Sequence, residues 1–294
     1  MIRAGKPAHF LKKFLPFQRP RVPKGFSYIH DTLPQDVFIV GYPKSGNTWF
    51  QNLVSGLVHG VNPRVGPPSL ASDLVPDVHA NEFYRRYSTP TYFKSHALPQ
   101  PHYRRVVYLL RDGRDAMVSF LHYAEALEKR KLNFLEFVNN PIRHSSSKWH
   151  EHVEAWTQNP FDAQMIVIKY EDMLEQPVTE LERFCEFIGL LRDRAALSAV
   201  AEGAQFSSLR EKEASIGWGG QSAWPKDKFF FRRGVAGSHK DEMPPEVVAA
   251  FLSEAGKTLR LHGYEVEEPK AFVPSAVEPV MTEPQFVPAA RVSA

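Results

Sequence analysis

Residues 36–58 constrain the fold more than any other stretch. Asp36-Val-Phe-Ile-Val-Gly41-Tyr is a short, β-branched apolar run that stops at Pro43, as a strand buried on both faces stops at a turn. From Gly46 onward, Trp49 or Phe50, Leu53, Val54, Leu57 and Val58 recur at the three-to-four spacing of an amphipathic helix. Strand, loop and helix in succession make a βα unit. Two similar units follow. Arg105-Val-Val-Tyr-Leu-Leu precedes a helical stretch from about Ala116 to Leu127, and Met165-Ile-Val-Ile-Lys-Tyr precedes a helical pattern through Leu181, Phe184, Phe187 and Ile188. Repeated βα units predict an α/β fold, a parallel sheet flanked by helices. Thr91-Tyr-Phe-Lys-Ser predicts a shorter strand, and 145–158 and 245–262 predict two further helices.

The chain has 294 residues, 43% of them hydrophobic and 12% aromatic, so it can bury one large core, and no internal repeat divides it. A single domain over residues 1–264 is expected, with 1–35 as an N-terminal arm and a proline-rich tail over 265–294. The proline-rich stretch between Gly60 and Pro90 predicts a long loop over one face of the sheet. Net charge is only +3, so a general nucleic-acid partner is not expected and any anion must be recognised locally. Arg3, Lys6, Lys12 and Lys13 break up the start of the chain, which shows no secretory h-region, and no stretch is apolar enough for a membrane span. The lone Cys185 forms no internal disulfide, reads as a small buried hydrophobe, and fits a reducing, cytoplasmic setting.

The loop Gly41-Tyr-Pro-Lys44-Ser45-Gly46-Asn47-Thr48 joins the first strand to its helix, so its amides converge on the positive end of that helix. A glycine-rich loop alone could be a mere strand-to-helix turn, but a lysine at its apex beside Ser45 and Thr48 predicts a phosphate loop, and the sheet is expected to be P-loop-like. A nucleotide triphosphatase carries lysine after the second glycine; here Asn47 stands there and the lysine is at 44, which argues against ATP or GTP. Read alone, Arg111 with Asp112 and Asp115 is more often a local salt-bridge network, and Arg232-Arg233 between aromatics and glycines is by default a solvated basic turn.

Together these segments resemble the sulfotransferases that use 3′-phosphoadenosine 5′-phosphosulfate. Tyr42-Pro-Lys-Ser-Gly-Asn-Thr-Trp49 is similar to that family's 5′-phosphosulfate loop, with Asn47 where threonine is usual. The segment from Arg105 through Arg111 to Ser119 resembles its 3′-phosphate segment, and Phe230-Phe-Arg232-Arg233-Gly234-Val-Ala-Gly237 its closing Arg-Lys-Gly segment, with Arg233 in place of lysine. Tyr170-Glu-Asp-Met and Ser207-Ser-Leu match shorter nucleotide-contacting stretches, and Lys94-Ser-His96 matches Lys-Thr-His. The resemblance implies that Lys44, Ser45, Gly46, Asn47, Thr48, Trp49, Arg111, Ser119, Tyr170, Ser207, Arg232, Arg233 and Gly234 bind the nucleotide.

It also implies the chemistry. His96 is the general base, Lys44 stabilises charge on the bridging oxygen, and Lys94 neutralises the transferred sulfuryl oxygens. The co-substrate leaves as the bisphosphate nucleotide PAP, and no metal is expected because lysines and amides neutralise the charge. The acceptor is expected to be a small-molecule hydroxyl or amine, an apolar alcohol or phenol lined by Phe83, Tyr84, Tyr87 and Tyr123; a carbohydrate or glycolipid acceptor is the alternative, with Trp149, Trp218 and Trp224. A non-catalytic nucleotide-binding protein or a P-loop kinase are the readings from other classes. Cytosolic members of the family often dimerise through a short segment after the Arg-Lys-Gly loop. Here Pro244 and Pro245 interrupt that stretch, which implies a monomer or a dimer through another surface.

Overall fold

Four parallel strands in the order β4-β2-β5-β6 form the central sheet of the computed structural model, which describes residues 20–67, 69–141, 145–218 and 224–266. In chain order the elements are β1 (Ser27–Tyr28), β2 (Val37–Gly41), α1 (Asn47–His59), α2 (Leu70–Leu74), β3 (Phe83–Tyr84), β4 (Tyr92–Ser95), β5 (Arg105–Leu110), α3 (Gly113–Glu128), α4 (Phe134–Asn139), α5 (Trp149–Gln158), β6 (Gln164–Lys169), α6 (Tyr170–Glu175), α7 (Pro177–Ile188), α8 (Arg194–Gly203), α9 (Phe206–Ile216), α10 (His239–Glu242) and α11 (Pro245–Leu261). The small pair β1-β3 is antiparallel and separate from the main sheet.

Alternation along the strands builds two cores. Phe38 and Val40 of β2 join Val106, Tyr108 and Leu110 of β5 on one face, under Trp149, Phe251 and Leu259 of the α5 and α11 layer. Val37, Ile39, Val107 and Leu109 turn to the other face and meet Leu53 and Leu57 of α1, Leu181 and Phe184 of α7, and Leu197 of α8. Both faces of β2 are thus covered, which is why its sequence is apolar throughout rather than alternating.

From β2 the chain steps outward to β4, then crosses back past β2 to β5 and on to β6, so the direction of winding switches between β2 and β5. A crevice opens at the carboxyl ends of strands flanking such a switch. The loops after β2, β4, β5 and β6 all emerge there. The expected α/β sheet, its helical flanks and its single-domain organisation are what the structure has.

Several expectations need correction. The proline-rich stretch after Gly60 is not loop throughout, because Leu70–Leu74 closes a helical turn and Phe83–Tyr84 pairs with Ser27–Tyr28. The helix after β6 is two helices, since Pro177 lacks the N–H needed to continue α6 and instead starts α7. Helix α5 begins at Trp149 rather than Ser145. Residues 1–19 of the expected arm and 267–294 of the expected tail lie outside the described residues.

Candidate active site

The loop after β2 holds two left-handed residues, Lys44 at φ 71° and Gly46 at φ 100°. A Cβ on residue 46 would come within 2.9 Å of the Tyr170 ring, so glycine is required there by conformation and by space. Lysine in the left-handed region is strained, and such strain is characteristic of binding loops. Helix α1 starts at Asn47, immediately behind the loop, with no side chain capping its first amides. Ser45 is buried, and its Oγ has no hydrogen-bond partner among the described residues.

Asn47 also bonds across to the neighbouring strand. Its Nδ2 donates to the Ser95 carbonyl at 3.3 Å, tying the loop to β4 between Lys94 and His96. His96 Nδ1 donates to the Gly41 carbonyl at 2.7 Å. That bond selects the Nδ1–H tautomer and leaves Nε2 as a lone-pair base. Desolvation first, and the Lys94 charge second, push the imidazole down to about 3, so it is neutral at ordinary pH.

The β5 exit supplies Arg111, whose Nη1 donates to the Lys44 carbonyl at 3.0 Å and Nη2 to the Val235 carbonyl at 3.2 Å. Its guanidinium lies 4.1 Å from the centroid of the Tyr170 ring, and Tyr170 meets Trp49 edge to face at 5.5 Å. Arg111 Nε is buried with no partner among the described residues, an unused donor between the Lys44 loop and the segment around Val235.

The segment Arg232-Arg233-Gly234 crosses above. Gly234 is left-handed at φ 63°, and a Cβ there would stand 2.2 Å from Phe206. Arg232 and Arg233 both donate to Glu242, which also accepts from His122. Burial alone raises the Glu242 carboxyl, but those three partners hold it down to about 2. Asp115 accepts from the Gly237 and His239 amides and from His239 Nδ1, fastening the far end of the segment to α3.

These segments enclose one cavity of about 440 Å³. Lys44, Gly46, Asn47, Thr48, Trp49, Lys94, His96, Arg111, Ser119, Tyr170, Arg232, Arg233 and Gly234 all line it. Ser207 does not; it is exposed, while its neighbours Phe206 and Leu209 reach the cavity. Of the four aromatics expected on the acceptor side only Tyr123 lines it. Tyr84 is buried with its hydroxyl donating to the Asp31 carbonyl, Phe83 lies against Tyr28, and Tyr87 is exposed. Trp149 is also buried in the core, whereas Trp218 lines the cavity and stacks on Phe230 at 3.8 Å between centroids.

Lys44 Nζ sits 4.0 Å from the Phe230 centroid and 4.8 Å from that of Tyr123. Desolvation, then the charges of Lys94, Arg111 and Arg232, push its ammonium down to about 7. Positive charge is therefore crowded in the cavity, which an anionic ligand relieves. Glu213 of α9, a residue sequence reasoning missed, accepts from the Phe230 and Phe231 amides at 2.6 and 3.0 Å and holds that aromatic wall in place. Asp77 and His79 were missed as well, and both line the cavity. Among the described residues no group of His, Cys, Asp and Glu is placed to hold a metal ion, and no helix is long and apolar enough to cross a membrane.

A family model described as a sulfotransferase domain matches residues 34–261. The chain is similar to Sulfotransferase 4A1 of Mus musculus, 29% identical over 221 residues that span 67% of this chain and 77% of the relative. Among solved structures it resembles a retinol dehydratase in complex with androsterone and inactive cofactor PAP, with a TM-score of 0.61 and 20% identity over 82% of this chain and 85% of the other. It likewise resembles mouse sulfotransferase SULT7A1 complexed with PAP, with a TM-score of 0.58 and 21% identity over 78% and 86%.

Proposed function

This chain belongs to the sulfotransferase domain family, and from that premise we propose that its cavity moves a sulfuryl group from 3′-phosphoadenosine 5′-phosphosulfate to a hydroxyl of a small molecule. One observation carries the reading: the 43–48 loop, Arg111 at the β5 exit, the Arg232-Arg233-Gly234 segment, two lysines and a tautomer-fixed histidine converge in a single cavity at the carboxyl ends of β2, β4 and β5. The unpartnered Arg111 Nε and the depressed Lys44 ammonium fit a phosphate-bearing ligand. When bound, the co-substrate supplies an activated sulfuryl group whose bridging oxygen leaves with PAP.

The chain's own residues do the rest. The amides of the 43–48 loop and the α1 N-terminus bind the 5′ end; Arg111, Ser119, Arg232 and Arg233 bind the 3′-phosphate; Trp49 and Tyr170 flank the base. His96 Nε2 takes the acceptor's hydroxyl proton as the new O–S bond forms. Lys44 stabilises charge growing on the oxygen whose bond to sulfur breaks, and Lys94 neutralises the sulfuryl oxygens in passage.

Tyr123, Phe230 and Trp218 give the cavity aromatic walls, which supports an apolar alcohol or phenol as acceptor. Asp77, His79 and Asn81 line it too, and that polar set favours a second reading, a carbohydrate or glycolipid. Cytoplasmic action is part of the proposal, in keeping with one buried, unpaired cysteine. The test is incubation with the sulfate donor and a panel of phenols, aliphatic alcohols, sterols and sugars, with PAP release as readout. Acceptor-dependent release is the expected result. Binding without release makes the chain a nucleotide-binding protein, and phosphoryl transfer from ATP makes it a kinase.

A further inference from the structure

The segment 76–79 lines the cavity through Asp77 and His79 and runs beside the strand that leads to Lys94 and His96, but it has no part in the transfer steps above. Lys94 N–H donates to the Pro76 carbonyl at 2.9 Å and Val78 N–H to the Lys94 carbonyl at 3.0 Å, with Asp77 and Lys94 as parallel bridge partners. This short ladder sets Asp77 beside Lys94 and His79 beside His96. Lys94 Nζ lies 2.9 Å from Asp77 Oδ2, with the two side chains only 15% and 16% exposed. The His96 main-chain N–H donates to His79 Nε2 at 3.0 Å, and the His79 N–H donates to Asp77 Oδ1 at 2.8 Å. The two imidazoles are within 17° of parallel.

We propose that Asp77 and His79 are positioning residues for sulfuryl transfer: Asp77 orients Lys94 and supplies the negative charge that a protonating His96 needs, and His79 anchors the backbone that carries His96. The proposal rests on the sulfotransferase reading. Its physical basis is the balance of charge around the base. Lys44, Lys94, Arg111 and Arg232 all line the same cavity, so an imidazole that gains a proton there gains it among cations. Asp77 is the carboxylate whose field favours that imidazolium. An ammonium has three donors, so Asp77 fixes the direction of Nζ while leaving two for sulfuryl oxygens. His79, accepting at Nε2, holds its own proton on Nδ1 and acts as a rigid acceptor rather than as a second base.

The experiment compares wild type, Asp77→Asn, His79→Ala and His79→Gln. PAP affinity is measured by calorimetry, and turnover with the two active acceptors of the panel that differ most in hydroxyl acidity. For Asp77→Asn the expected result is a loss of roughly 10–100-fold in turnover on the weakly acidic hydroxyl and a clearly smaller loss on the acidic phenol. PAP binding stays as tight as in wild type or tightens, because a negative charge has been removed. Equal losses on both acceptors, or turnover and PAP affinity falling together, are what a merely structural role gives and overturn the assignment. His79→Gln, whose amide can still accept from His96 N–H, is expected to keep most of the turnover that His79→Ala loses; equal loss in both removes His79. A wild type that binds PAP but transfers to no acceptor overturns the reading underneath, and so separates the two failures.

Discussion

Lys44 combines three features that rarely meet in one residue: a left-handed backbone, two aromatic rings against its ammonium, and three cations as neighbours. Burial and the three cations raise the free energy of the charged ammonium while no anion is present, the rings offset part of that, and a bound anion offsets the rest. The sign follows directly. A lysine held at about 7 is mostly neutral at pH 8, and a bound phosphate raises it, so PAP binding at pH 8 takes up most of a proton. Calorimetry in two buffers of different ionisation enthalpy reads that uptake; Lys44→Met should abolish it, and uptake unchanged in the variant would contradict the assignment. Lys44→Ala is also expected to cut turnover by roughly 10²–10³-fold, the scale of one electrostatic stabiliser. Comparable loss of PAP affinity would make it an ordinary phosphate anchor. The motif residues were legible in the sequence because their chemistry is local. Gly46 announces a turn of the kind glycine permits, Lys44 sets a cation in it, and Arg111 follows its strand directly. Ser207 was matched by motif position alone, and helix α9 turns its neighbours Phe206 and Leu209 inward instead.

At the scale of elements, the site is assembled by contacts that no window of sequence contains. Asp115 on α3 reaches Gly237 across 122 residues, and Glu213 on α9 holds the amides of Phe230 and Phe231. The βα units and the sheet class were readable from period and composition. The α2 and β3 elements were not, because proline-rich sequence masks short pieces stabilised by tertiary pairing. Asp115 gives this scale its prediction. Burial alone would raise its carboxyl, but the bonds from His239 and Gly237 hold it down to about 2, below the ordinary 3.8. A depressed carboxyl contributes stability that is present above the unfolded value and lost as pH falls through the folded one. The Asp115 contribution is therefore complete above about pH 4 and fades toward pH 2. Chemical denaturation of wild type and Asp115→Asn should give a stability gap that narrows across that window. A gap independent of pH would contradict the assignment of the charge.

For the whole molecule, the open question is how one domain presents this cavity to its partners. Tyr264 donates to Glu171 and Val266 packs on the core, so the described chain stays attached to the domain through residue 266. With Pro244 and Pro245 leading into α11, the stretch after the Arg-Arg-Gly segment is helical and proline-bounded rather than extended. We propose the proline-rich tail from residue 265 as the arm that covers the core or reaches a neighbour; light scattering on the full chain and on residues 1–266 should then show a monomer, or a dimer that truncation dissolves, and a dimer that survives truncation contradicts that role. The central claim concerns His96, a neutral imidazole whose Nδ1 is fixed by Gly41 and whose Nε2 is left for the acceptor. His96→Ala and wild type, prepared together, are compared for PAP affinity and for sulfuryl transfer to an alcohol of high pKa. The account predicts unchanged PAP affinity with transfer reduced by about 10²-fold or more; transfer retained, or lost only in step with PAP binding, would contradict it.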